Sequence, residues 1–387
     1  MKKIEKNISQ FFLTSSILLY NLPPTSQQMK LPAKLAIASL AAIALAVPAS
    51  AQNATTDPVG FVTVNITAGT GSAKRPTFFS APLLDSPSLT GQMAGAITSF
   101  TSNSISNSNA GWSAGELSSP AAPCIIQITS GNAIGRMFLI ASSANTGGAS
   151  SGTPNTATTV YVSSIDLTQT PDITTTGLAV GDTYQILSCD TISSLLGTPE
   201  STGVTGGNSS TAGDSVLVVI NGSSSTYFYN TSVSPNRWSR VGPGNPDASN
   251  TAILPYYGIQ YQRLTASPLS LTFTGNVPVD PRKANVKNSG ATYISQFWPT
   301  DSTLSSIGLQ SLPGWTSAST PSSADIVLIS SGGSLTTYFY DGTSWRRSGP
   351  GNPVTNPVIP VGATLSIVKR GTAAGYSTLN QALPYSL

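Results

Sequence analysis

Two stretches of the chain carry the same words in the same order. The first runs Asp214-Ser215-Val216-Leu217-Val218, then Thr226-Tyr227-Phe228-Tyr229, Arg237-Trp238-Ser239-Arg240 and Gly242-Pro243-Gly244-Asn245-Pro246. The second runs Asp325-Ile326-Val327-Leu328-Ile329, then Thr337-Tyr338-Phe339-Tyr340, Ser344-Trp345-Arg346-Arg347 and Gly349-Pro350-Gly351-Asn352-Pro353. Self-similarity on this scale outweighs any single local motif in deciding architecture. Each word is short, apolar or alternating, and is bounded by Gly, Pro, Asn or Ser, which reads as strands joined by turns. Asp341-Gly342 is a hairpin signal, because primed turns need φ > 0, and it joins Thr337–Tyr340 to Ser344–Arg347. In the first copy the loop is longer, Asn230 to Asn236. Each copy then passes an Ile-x-Pro edge (Ile253–Pro255, Ile359-Pro360) and enters a strand ending at Arg263 or Arg370.

Working outward, Thr77–Ser86 loosely matches Tyr293–Ser302, and Leu271–Asp280 loosely matches Ser377–Ser386. This predicts an all-β fold of two related β-sandwich or barrel-like units, 52–283 and 284–387. The first is longer because it carries a small inserted β subdomain, about 97–190, with strands expected at Ile125–Thr129, Met137–Ala141, Thr159–Val162 and Tyr184–Leu187. A low-complexity loop, Ala144 to Asn155, lies inside it. Short helical turns are expected at Thr191–Leu196 and Thr303–Leu309.

The N-terminal 51 residues read as an address. Met29 is followed by Lys30 and Lys34, an apolar run from Leu35 to Val47, Pro48, and Ala49-Ser50-Ala51 before Gln52. Charged region, short apolar run and small-residue site are the parts of an export signal, with cleavage expected after Ala51. The run is shorter than the ~20 residues a bilayer span needs, so no transmembrane span is expected in the mature chain. Residues 1–28 read as an N-terminal extension, with the start expected at Met29.

Composition then excludes chemistry. The 387 residues hold no His, two Cys, 18 Lys+Arg and 15 Asp+Glu; 9% are charged, against about 25% in typical globular proteins. Ser and Thr make up about a quarter of the chain. Without His there is no Ser-His-Asp or Cys-His catalysis and no imidazole metal ligand, and two Cys cannot build a Cys₄ zinc site. Five of the 18 basic and one of the 15 acidic residues precede Gln52, leaving 13 against 14. No nucleic-acid footprint remains. No cofactor, metal or catalytic residue is expected. Gly148-Ala149-Ser150-Ser151-Gly152 has the spacing of a nucleophile elbow, but it sits in a loop and lacks a His partner. Ser366-Ile367-Val368-Lys369 has the Ser–Lys spacing, yet on a strand the two side chains point to opposite faces. Asp214 and Asp325 read as strand-edge residues.

Two features stay open. Cys124 starts one expected strand and Cys189 ends another. Antiparallel pairing would set them within reach of a disulfide; the other reading is two buried thiols. The matched residues Tyr227, Tyr229, Trp238, Arg240, Tyr338, Tyr340, Trp345 and Arg347 form either a packed core with cross-strand partners or an exposed surface for sugar rings.

Thr56–Val62 (TDPVGFV), Ile128–Ile140 (ITSGxxxGRxFLI), Gly181–Ile186 (GDTYQI) and the duplicated TYFY, Trp, Arg and GPGNP words together resemble an uncharacterised family of exported, paralogous β-rich proteins of verrucomicrobial-type bacteria. The resemblance implies export and an envelope-associated or extracellular place. The expectation is an exported, non-catalytic β-protein, a structural or adhesive component of the cell envelope or extracellular matrix. Its partners would be envelope components, further copies of itself or glycans. A carbohydrate-binding protein using the matched aromatics comes next, and an Asp-dependent polysaccharide-active enzyme third.

Overall fold

Alternation of apolar and polar residues over five to eight positions buries one face of a strand, and cross-strand pairing then builds a sheet. The computed structural model of the chain describes residues 58–142, 153–163, 172–220, 223–331 and 334–386. The expected export signal, the expected N-terminal extension and the Gly148–Gly152 string lie outside these residues.

Two five-stranded antiparallel sheets have the same strand order. The first runs, edge to edge, Arg237–Arg240, Ser223–Asn230, Ser215–Ile220, Ile259–Arg263, Arg75–Phe79. The second runs Trp345–Arg347, Ser334–Tyr340, Ile326–Ser331, Thr364–Lys369, Gly290–Ser295. Neither closes into a barrel. Register makes the equivalences definite. Val216 faces Tyr261, which faces Thr77; Val327 faces Ile367, which faces Thr292. The loose sequence match is therefore shifted by one at two places: Thr77 corresponds to Thr292, and Arg263 to Lys369.

Each sheet is covered by a two-stranded ribbon, Val59–Ile66 with Leu269–Asn276 in one case and Arg282–Lys287 with Tyr376–Gln381 in the other. Leu269–Asn276 alternates buried and exposed along its length. Val62, Val64, Leu271 and Phe273 thus meet Val216, Val218 and Tyr261 in one core, and Val286 and Leu379 meet Val327 and Ile367 in another. The second ribbon begins at Arg282, two residues before the second unit expected to start at 284.

Short pairs, Asp190–Thr191 with Ala252–Ile253 and Ser302–Thr303 with Val358–Ile359, lead into the two expected helical turns, Ile192–Leu196 and Leu304–Ile307. Both turns start with a reciprocal capping box. The Ser194 amide donates to Thr191 Oγ1 (3.0 Å) and Ser306 to Thr303 Oγ1 (3.2 Å), and each serine hydroxyl accepts from the threonine amide at 2.9 Å.

The insert forms a four-stranded sheet (Ala94–Ala96, Thr183–Ser188, Cys124–Ile128, Met137–Leu139) and a three-stranded one (Ser99–Phe100, Ser104–Ser106, Thr159–Tyr161). Cys124–Ile128 is buried at every position. Ile126, Ile128 and Phe138 face the insert's own core, while Ile125, Met137 and Leu139 face the core of the first sheet. One sheet is thus a wall shared by two cores, which explains its unbroken apolar run. This wall also decides the cysteines. Cys124 pairs with Ser188, not with Cys189, so the next residue points through the opposite face. Cys124 enters the insert core and Cys189 the core of the first sheet. No disulfide joins them, and the bridge expected from strand ends is corrected by a register of one.

The described residues gather into one compact unit, within which the two sheets meet about matched positions. Phe78 and its equivalent Tyr293 stack on each other (6.1 Å, 9°). The Ser80 amide donates to the Gly362 carbonyl (2.8 Å), and the equivalent Ser295 amide donates to Tyr256 (2.9 Å). Gly258 lies against its own equivalent, Thr364: an added Cβ would stand 2.3 Å from Thr364 Cγ2. Self-complementary contacts of this kind are what a two-fold interface produces. Among the described residues no helix is long and apolar enough to cross a membrane.

Candidate functional site

The matched aromatic residues are placed first by their strands. Tyr227 and Tyr229 alternate with Phe228 on Ser223–Asn230, and Trp238 faces Tyr229 across the ladder. Tyr227, Tyr229, Trp238 and Trp345 are all less than a tenth exposed, and Tyr338 and Tyr340 pack partly buried against the second core. Tyr229 and Trp238 meet edge to face (5.9 Å, 79°), as do Tyr340 and Trp345 (5.6 Å, 60°); Trp315 adds a further ring to Trp345 (5.8 Å, 68°). Such pairs contribute about 0.5–1.5 kcal/mol beyond burial. Stacking on a sugar needs an open ring face, and neither tryptophan has one. Arg240 and Arg347 are exposed at the strand ends, opposite Tyr227 and Tyr338.

The matched aspartates are buried clamps. Asp214 accepts from the Thr205 and Leu264 amides (both 2.8 Å), from Tyr261 Oη (2.7 Å) and from Arg263 Nη1 (2.6 Å). Burial and the Asp214 charge push the Tyr261 hydroxyl well above its usual range, so it stays a donor. Asp325 accepts from the Thr316 amide (2.8 Å) and the Arg370 amide (2.6 Å). Both carboxylates hold a loop to the end of a strand. Ser366 and Lys369 share a strand but not a purpose, since Lys369 Nζ donates to the Pro313 carbonyl (2.8 Å).

Two clefts bring together residues that the sequence keeps far apart. One, of about 500 Å³, holds Asp85 and Asp190 beside Ser194, Ser201 and Thr274. Burial raises the Asp190 carboxyl pKa, opposed by the Ser194 hydroxyl, which donates to it at 2.9 Å, and aided by the Asp85 charge. The other, of about 50 Å³, lies where the insert, the first sheet and the second ribbon meet. Its walls include Arg136, Lys283 and Lys287 with Tyr256, Tyr293 and Tyr376, and among the described residues no carboxylate lines it. Arg136 is set by Nη1 on Asn285 Oδ1 (2.8 Å) and Nη2 on Thr378 Oγ1 (2.7 Å), and Lys283 by Nζ on the Asn132 carbonyl (2.6 Å). Gly135 makes the approach possible: a Cβ there would lie 2.5 Å from the Pro281 carbonyl oxygen, and the Lys283 amide donates to Gly135 at 2.9 Å. Burial, and secondarily Arg136, lower the Lys283 pKa.

Sequence reasoning missed both groups, because each joins distant segments: Asp85 is about 100 residues from Asp190, and Arg136 about 150 from Lys283 and 240 from Tyr376. The signal for the second was the Gly-Arg of the Ile128–Ile140 motif, which a structural reading of that strand leaves unexplained. Among the described residues no group of three His, Cys, Asp or Glu side chains is placed to hold a metal ion. No protein-family model matches the chain, and neither a curated protein nor a solved structure is detectably similar to it.

Proposed function

We propose that the chain is an exported, non-catalytic β-protein that serves as a structural or adhesive component of the cell envelope or extracellular matrix, and that its two like sheets arose from one duplicated unit. One observation carries this reading: what the two sheets share is scaffolding. The matched carboxylates spend their acceptors on loop amides, and the matched tryptophans are buried. A duplicated active site would instead share an open cleft with the same reactive groups. The export signal read at Met29–Ala51 and the charge-poor, Ser/Thr-rich composition support the location. Fractionation of the producing cells, with N-terminal sequencing of the recovered protein, tests it. The expected result is a chain starting at Gln52 in the envelope or the medium; an unprocessed chain in the cytoplasm overturns the reading.

Asp85 and Asp190 favour a second reading, hydrolysis of a polysaccharide. A carboxyl with raised pKa beside a second carboxylate is the acid–base pairing glycosidases use. Release of reducing ends from a polysaccharide panel that disappears in Asp190→Asn would establish it over the first.

A further inference from the structure

We propose that the cleft walled by Arg136, Lys283 and Lys287 binds the acidic groups, carboxylate or sulfate ester, of an anionic polysaccharide. The charge distribution is the first argument. Only 13 basic residues follow Ala51, against 14 acidic ones, and three of them line this one small cleft with no carboxylate among its described lining residues. Like charges gathered in a partly desolvated place repel one another, and an anion relieves that repulsion. Burial lowers the pKa of Lys283 first, and the nearby Arg136 charge lowers it further.

Size and shape argue next. About 50 Å³ admits a few water molecules' worth of volume, which suits one oxyanion group and not a whole sugar ring. The ring would lie outside the cleft, against the partly exposed Tyr376 of its lining, which offers the amphipathic surface that sugars pack on. Duplex nucleic acid fits poorly, because it needs a basic stripe following many phosphates. The inference does not rest on the adhesive reading, since an anion-binding cleft suits a scaffold or an enzyme equally.

The test is a binding isotherm of the intact exported protein with polygalacturonate, dextran sulfate and neutral dextran, with duplex DNA as a further arm. At least one acidic polymer is expected to bind, more weakly as salt rises, while neutral dextran does not. Which one binds identifies the carboxylate or the sulfate as the source. Lys283→Gln with Lys287→Gln is expected to weaken that binding about tenfold or more, the loss of one charge-assisted contact. Arg240→Gln with Arg347→Gln, equal in charge change but at other exposed strand ends, is expected to leave it unchanged. Independently of any variant, acetylation of Lys283 and Lys287 in the unaltered protein, read by mass spectrometry, is expected to slow when the polymer is bound. Binding of neither acidic polymer, equal loss in both double variants, unprotected lysines, or tighter binding to DNA overturns the proposal.

Discussion

The loops clamped by Asp214 and Asp325 occupy equivalent places in two sheets of the same order, yet they are held differently. Beside Asp214 stand Tyr261 and Arg263, and the ion pair with Arg263 is almost wholly withdrawn from water, with side chains 5% and 1% exposed. Beside Asp325 the same strand positions hold Ile367 and Lys369, and the lysine reaches Pro313 instead. The backbone amides remain: Thr205 and Leu264 in one sheet, Thr316 and Arg370 in the other. The two amides are therefore the essential part of the clamp. The charged partner is an addition, and a buried charge becomes a liability once its partner is gone.

The largest expected effect follows from that liability. Asp214→Ala leaves Arg263 buried without its carboxylate and is expected to cost about 3–5 kcal/mol, whereas Asp325→Ala loses the acceptor of two amides and a charge that acts on Lys369 without a direct bond, and costs less, about 1–3 kcal/mol. Urea unfolding midpoints measure both; equal losses would break the distinction between the sheets. The tryptophans give a smaller contrast of the same kind. Trp238 Nε1 donates to the Gly197 carbonyl at 2.8 Å, while Trp345 Nε1 is buried without a partner. Trp238→Phe is expected to be more destabilising than Trp345→Phe by about 1 kcal/mol, and the reverse order would remove the contrast.

Where the sheets meet, Gly258→Ala would press on Thr364 and is expected to cost about 1–3 kcal/mol. Combining it with Thr364→Gly should recover part of that loss in a double-mutant cycle; strict additivity would show that the two positions do not meet. The smallest expected effect is none. A reducing agent should leave the unfolding midpoint unchanged, and a fall of about 2–5 kcal/mol would reveal a disulfide after all. Burial, with a contribution from Glu116, pushes the Cys124 thiol up from 9.0 to about 11. Its contribution to stability is thus complete below pH 9 and lost between 9 and 11, where the unfolded chain ionises first. Alkylation of Cys124 in the folded protein should stay slow across that window.

Much of the fold was legible because its signals are local. The four strands expected in the insert lie where alternation placed them, to within two residues; its other three, Ala94–Ala96, Ser99–Phe100 and Ser104–Ser106, are two or three residues long and too short to show alternation. The helical turns follow from Thr191 with Ser194 and Thr303 with Ser306, residues three apart whose bonds need no distant partner. The candidate site was hardly legible. The matched aromatics stood out in the sequence, but nothing in a strand's alternation says which face turns to the core. Arg136, Lys283 and Lys287 carry no shared word, and only the packing of the insert against the second ribbon brings them together.

The sequence by itself determined the β class, the places of the strands and the poverty of charge, since these depend on each residue and its near neighbours. Tertiary structure decided the rest: that Cys124 and Cys189 face different cores, that Lys369 and not Arg370 answers Arg263, and that three cations share one cleft. A strand's side chains alternate with a period of two, so a shift of one residue against a distant partner exchanges its faces. That register is set by strands up to about 210 residues away, where no local pattern reaches.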